Sequence, residues 1–277
     1  MYLGLGGLKI NYEEYGKNNK KHILFIHGLG SSSTSWRDLP QALSEHFHTI
    51  TVDLIGFGES DKPEVDYTIT YFSQFIKNFL QTIIGVDYEE AKEKIILIGH
   101  SLGGYIAIDF TLENKKHVEK LILIDPSGML DGPTPLLRFY LDAATETDPI
   151  LRYKKINRVF EDMTAERSRL LPIVIDIFIG TIGKPGAKYA FESTFYNSTK
   201  THIDSNRLNQ IKDIPSLIIW GEKDNLIPLY YASKFKEALP EFQFDLISDA
   251  GHSPHAEKPY IVYEKIRTFL NKNNEIQ

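Results

Sequence analysis

The sequence predicts an α/β fold, a mainly parallel, doubly wound sheet with one inserted helical segment, and three observations predict it. Short β-branched or leucine-rich runs alternate with amphipathic stretches along most of the 277 residues, the pattern left by parallel strands joined through helices on both faces. The pentapeptide Gly99-His100-Ser101-Leu102-Gly103 links one such run to one such stretch. Residues 129–209 carry no clear strand, and an interval that long is not a loop in a compact domain.

Taken in order, residues 7–10 and 12–15 are expected to pair as an edge hairpin. Gly4-Leu5-Gly6-Gly7 precedes the first strand instead of following one, so it reads as a hairpin or a chain end and not as a nucleotide loop. Strands are expected at 22–27, 48–53, 94–99, 120–125, 216–220 and 243–247. Helices are expected at about 35–44, 70–84, 103–114, 230–239 and 259–271. The core therefore comprises 1–128 and 210–277, and 129–209 forms a helical cap. Within the cap, residues 172–182 are strongly apolar but carry Asp176, and they fall short of the roughly 20 residues a membrane span needs. They read as a buried or pocket-lining helix. The polar tail, 271–277, is expected to fray.

Composition narrows the classes. The formal charge is −6 and Lys and Arg form no stripe, which argues against nucleic acid as a partner. The chain has no cysteine, so disulfides, zinc-thiolate sites and thiol nucleophiles are excluded. The first residues lack a basic region before an apolar core, so no signal peptide is expected and the default location is cytoplasmic. No integral membrane segment is expected.

Ser101 carries the chemistry. A serine on a tight strand-to-helix turn needs small neighbours two residues away, and Gly99 and Gly103 supply them. The turn would lift the hydroxyl above the sheet and aim the first helical N–H groups at the same point. A base is needed next. His252 follows the last expected strand, where a loop at its carboxyl end would bring an imidazole to the serine; His255 is its rival. Asp224 follows the preceding strand and would fix the imidazole tautomer, with Asp125 and Asp249 as rivals. No metal or organic cofactor is expected, since there is no His-Glu-x-x-His and Pro254 spoils a helical ligand face between His252 and His255.

With its Ser, Asp, His order, this chain resembles the α/β-hydrolase fold family over nearly its whole length apart from the cap. His27-Gly28-Leu29-Gly30 is similar to that family's oxyanion segment, Asp53-Leu54-Ile55-Gly56-Phe57-Gly58-Glu59-Ser60 to its D-x-x-G-x-G-x-S turn, and residues 99–104 to its nucleophile elbow. The resemblance implies that the Leu29 and Leu102 backbone N–H groups hold the oxyanion. It also implies structural roles for His27 and His100.

A serine nucleophile suits attack at a carbonyl, whereas relatives working at saturated carbon use aspartate. The expectation is hydrolysis of a small-molecule carboxylic ester of small to medium acyl size through an acyl-enzyme, by a monomer or homodimer. The alternatives are carbon-carbon hydrolysis of a vinylogous diketone and non-catalytic ligand binding on the same fold. Cap aromatics Phe139, Tyr140, Tyr153, Phe160, Phe178, Phe191, Phe195 and Tyr196 divide between cap core and acyl pocket, and Arg152, Lys154, Lys155 and Arg158 read as a solvated helix face.

Overall fold

Eight strands make one sheet in the order β1-β2-β4-β3-β5-β6-β7-β8 in the computed structural model, which describes residues 1–90, 93–165 and 171–272. They are β1 (Tyr2–Leu5), β2 (Leu8–Tyr15), β3 (His22–Ile26), β4 (His48–Val52), β5 (Ile95–His100), β6 (Val118–Ile124), β7 (Ser216–Gly221) and β8 (Gln243–Ile247). The β1/β2 and β2/β4 pairs are antiparallel and every other pair is parallel. Flanking helices are α1 (Leu39–Leu43), α2 (Ile69–Ile84) and α3 (Leu102–Glu113), then α9 (Tyr230–Ala238), α10 (Pro254–Glu257) and α11 (Pro259–Asn271). Between β6 and β7 lie α4 (Pro135–Thr145), α5 (Pro149–Met163), α6 (Leu171–Ile182), α7 (Ala187–Lys200) and α8 (Ser205–Asn209).

The central strands read as unbroken apolar runs because both of their faces are covered. Side chains alternate in direction along a strand, so Leu24, Leu97, Leu121 and Ile218 join one buried cluster with α2, α3 and the inserted helices. Their sequence neighbours Phe25, Ile98, Ile122 and Leu217 join a second, with Trp36, Val262 and Ile266 on the opposite face. Each fully buried side chain of this size contributes about 1.5–3 kcal/mol before conformational entropy is subtracted.

Local signals set the inserted helices. Thr134 and Asp148 accept the N–H of Leu137 and Leu151 as N-caps, each followed by a proline in the first turn.

The structure corrects two expectations. The hairpin pairs Tyr2–Leu5 with one continuous strand, Leu8–Tyr15, and its turn is Gly6-Gly7, both at positive φ, the two-residue turn that matches the twist of a hairpin. The helix expected over 35–44 is a 3-10 turn (Ser33–Trp36) and a separate short helix, α1, because Arg37 turns the chain at φ 52°. The segment read as buried or pocket-lining is α6; Ile175, Phe178 and Ile182 are buried while Ile173, Val174 and Ile177 are exposed. Residues 273–277 of the tail lie outside the described residues. Among the described residues no helix is long and apolar enough to cross a membrane.

Candidate active site

Ser101 sits between β5 and α3 at φ 54° and ψ −117°, a backbone conformation that costs on the order of 1–3 kcal/mol and needs its surroundings to hold it. Those surroundings are close. A Cβ on Gly103 would lie 2.0 Å from the Ile26 carbonyl, and one on Gly99 would lie 2.4 Å from the Gly103 carbonyl, so no other residue fits either place without moving backbone. The Ser101 N–H donates to Ile124 O, and its own carbonyl accepts from Ser127 N and Ser127 Oγ.

The structure brings His252 and Asp224 together. His252 Nδ1–H donates to Asp224 Oδ2 at 2.7 Å, both side chains being essentially sealed from solvent. Asp224 Oδ1 accepts from Leu226 N and Ile227 N at 2.8 and 2.9 Å, which locks the carboxylate in place. With its proton on Nδ1, a neutral His252 keeps its Nε2 lone pair free. Ser101 and His252 line one cavity.

Three supports of the His252 loop were not legible beforehand. His100 Nε2–H donates to His252 O at 2.8 Å, His252 N–H donates to Met163 O at the end of α5, and the Glu257 carboxylate accepts from Gly251 N, Ser253 N and Ala165 N. His100 and Met163 are distant from His252 in sequence and Ala165 arrives from the insertion, so no local pattern announces them, whereas Glu257 reaches Gly251 and Ser253 across only six and four positions.

Burial and the neighbouring imidazoles His255 and His252 hold His100 well below the usual histidine range, so it is neutral. His255, packed against Trp36 and His100, is pulled down to about 3 by burial and then by His252. It lies on the cavity wall and, among the described residues, has no carboxylate partner, unlike His252. His27 accepts Leu54 N at Nε2 and donates from Nδ1 to Gly28 O, and burial lowers its pKa. Of the rival acids, Asp249 is exposed and pairs with Lys223 at 2.6 Å, while Asp125 is buried against Asp224.

The Leu102 N–H opens α3, where no carbonyl of the helix itself reaches back to it. The segment carrying Leu29 presses on the same point, for a Cβ on Gly28 would meet Ser101 Cβ at 3.1 Å. Asp53 holds this loop: Oδ1 accepts from Ser33 N at 2.6 Å, and Oδ2 accepts from Glu59 N and Asn11 Nδ2. From the insertion, the Tyr140 hydroxyl donates to Leu29 O at 3.4 Å.

A cavity of about 570 Å³ opens above Ser101. Leu137, Tyr140, Phe160, Met163, Ile177 and Phe178 form its apolar wall, while Arg37, Asp249, Glu257 and Lys258 also line it. Of the remaining cap aromatics, Phe191 and Phe195 are core, Phe139 is partly buried, and Tyr153 and Tyr196 are exposed. Lys155 of the basic cluster bridges Asp142 and Glu146, and Arg158 pairs with Asp162. Among the described residues the one group with metal-ligand spacing is Asp125, Asp224 and His252, and two of its members already bond to each other.

Sheet order, elbow and insertion together define an α/β hydrolase. The model of the alpha/beta hydrolase family matches residues 23–264, and the chain belongs to that family. It is 27% identical to Lipase 1 of Psychrobacter immobilis, over 91% of this chain and 77% of that one. Among solved structures it is similar to the meta-cleavage product hydrolase of Pseudomonas fluorescens, with a TM-score of 0.85, 21% identity and 98% and 97% of the two chains covered. The esterase of Exiguobacterium antarcticum gives a TM-score of 0.82 at 18% identity, covering 98% and 99%. At those identities the structural likeness speaks for the fold.

Proposed function

We propose that this protein is a serine hydrolase that cleaves a carboxylic ester of small to medium apolar acyl size through an acyl-enzyme. The observation that carries the reading is the apolar cavity that has Ser101 and His252 on its wall. Ser101 Oγ attacks the ester carbonyl carbon as His252 Nε2 takes its proton, and Asp224 stabilises the imidazolium that results. The Leu29 and Leu102 N–H groups receive the oxyanion; removing one such donor typically costs about 10²–10³ in rate. On collapse, His252 returns the proton to the leaving alcohol, and water then releases the acid by the same steps. Helices α4 to α8 serve as the lid that excludes bulk water and shapes the acyl site. No metal or organic cofactor takes part in this scheme.

A second reading, hydrolysis of a carbon-carbon bond in an anionic dienoate, draws support from the likeness to the meta-cleavage product hydrolase and from Arg37 and Lys258 on the cavity wall. The apolar remainder of that wall favours the ester. Initial rates on p-nitrophenyl esters from acetate to long acyl chains, for wild type beside Ser101→Ala, test the proposal. Turnover with a chain-length optimum, lost in the variant, supports it. Inertness toward every ester, with turnover of a 2-hydroxy-6-oxo-dienoate, transfers the assignment to the second reading, and inertness toward both leaves ligand binding.

A further inference from the structure

Asp125 directly follows β6, with φ 42° and no exposure at all. Its N–H donates to Ile219 O, and its Oδ1 accepts from Gly221 N at 2.8 Å, which ties the ends of β6 and β7 together. Among the described residues its Oδ2 meets no donor. A carboxylate oxygen of Asp125, one of Asp224 and a ring nitrogen of His252 lie within 4.8 Å of one another, all buried.

The two carboxyl groups are unequally supplied. Among the described residues Asp224 receives three donors, namely Leu226 N, Ile227 N and His252 Nδ1, whereas Asp125 receives only Gly221 N. Two carboxylates side by side in a low dielectric do not both ionise, and the proton settles on the one with fewer donors. Burial, followed by the charge of Asp224, pushes the Asp125 carboxyl well above the usual carboxylate range; Glu257 adds to this and the Gly221 amide opposes it.

We propose that Asp125 is a positioning residue that stays protonated at neutral pH, its Oδ2–H donating to the Asp224 carboxylate, so that the two acids hold His252 with a single shared negative charge. The unpartnered Oδ2 then becomes a donor, and Asp224 gains a fourth one. The proton is simply retained from the acid form on folding, so no other group need give or take it. Around Asp125 stand Asp224 and His252 on their loops, Glu257 on α10 and the Gly221 amide on β7. The role of Asp125 in turnover rests on the ester reading above; its protonation does not.

The experiment is infrared difference spectroscopy at neutral pH of wild type against Asp125→Asn, with activity measured in parallel. Asn places an acceptor toward Gly221 N–H and a donor toward Asp224, so it mimics the protonated acid. The expected results are a protonated-carboxyl band present in wild type and in Ser101→Ala but absent from Asp125→Asn, and Asp125→Asn activity within about threefold of wild type. Asp125→Ala loses both hydrogen bonds and is expected to fall about 10- to 100-fold, the usual range for removing a group that orients an active-site ligand. Absence of the band from wild type overturns the proposal whether or not any ester is turned over. So does an Asp125→Asn variant as impaired as Asp125→Ala. Should Asp125→Ala not fold, the band and the Asp125→Asn rate decide alone.

Discussion

The side chain of His100 and the backbone carbonyl of His252, 152 positions apart, are joined by a 2.8 Å hydrogen bond beneath Ser101. The residue preceding the proposed nucleophile thereby fixes the loop that carries the proposed base, and the His100 ring packs against both His252 and His255 at 4.9 and 4.5 Å. His100→Phe keeps an aromatic ring and removes the donor. Because a misplacement of about 1 Å at a reacting group can cost on the order of 10²-fold, kcat on the best ester is expected to fall about 10- to 100-fold with KM little changed. The lost hydrogen bond is expected to cost about 1 kcal/mol of stability. Steady-state kinetics beside urea unfolding separate the two effects, and an unchanged kcat would remove His100 from this role.

Three buried imidazoles make the fold acid-sensitive in a calculable direction. His255 is pulled down to about 3, His100 lies well below its ordinary value of 6.5, and His27 lies below it too, burial being the leading cause for each. A base whose folded pKa is depressed contributes stability that is present above its unfolded value and is lost as pH falls toward the folded one. Unfolding free energy is therefore expected to decline from about pH 6.5 downward. In His255→Phe the decline between pH 6.5 and 4 should be shallower, whatever its stability at pH 7; an identical slope in urea titrations would contradict the assignment.

Asp53 binds the 28–36 loop and the 54–60 turn to one carboxylate through Ser33 N, Glu59 N and Asn11 Nδ2, while Ser60 Oγ donates to the Asp53 carbonyl. Hydrogen bonds to a buried charge contribute about 1.5–3 kcal/mol each. Asp53→Ala is accordingly expected to lose about 3–5 kcal/mol and to lower kcat by loosening the loop that carries Leu29. Thermal unfolding with parallel kinetics checks this, and a variant with wild-type stability would show the carboxylate to be dispensable.

How much of this was legible followed from the range of each interaction. Residues 99–103 announced the turn at Ser101 because only glycine fits at two of its positions: Gly99 packs on the Gly103 backbone within the turn itself, and Gly103 packs on the Ile26 carbonyl of β3. The five strands β3 to β7 were readable because burial on two faces leaves a mainly apolar run, and the expected 243–247 coincides with the edge strand β8, which is only partly buried. At Arg37 the same reasoning failed, since a non-glycine residue at positive φ breaks a stretch that looks helical. The bonds from Met163 and Ala165 and the Asp125 to Asp224 contact depend on the meeting of distant segments, which the spacing of residues does not encode. Nor does a sequence tell which cap aromatic faces inward: Tyr140 and Phe178 line the cavity and Phe191, which packs on both, does not.

The cavity wall sets the last prediction. Each further CH₂ of an acyl chain buried against Leu137, Phe160 and Phe178 gains about 0.8 kcal/mol, so kcat/KM should climb about fourfold per carbon until the chain reaches the far wall. Ile177 lines the cavity, yet 51% of its surface is exposed, so a larger residue there can narrow the cavity without overpacking the core. Ile177→Trp is expected to move the optimum to shorter chains, leaving the rate on acetate within about twofold, since overpacking strain of about 1–3 kcal/mol is avoided at an exposed site. Phe178→Ala should move it to longer chains at a stability cost of about 3–5 kcal/mol, because that ring also packs on Tyr140 and Phe191. Opposite shifts from two substitutions on one wall would identify it as the acyl site; a chain-length profile unmoved by both would place the acyl group elsewhere and leave this wall to the leaving alcohol.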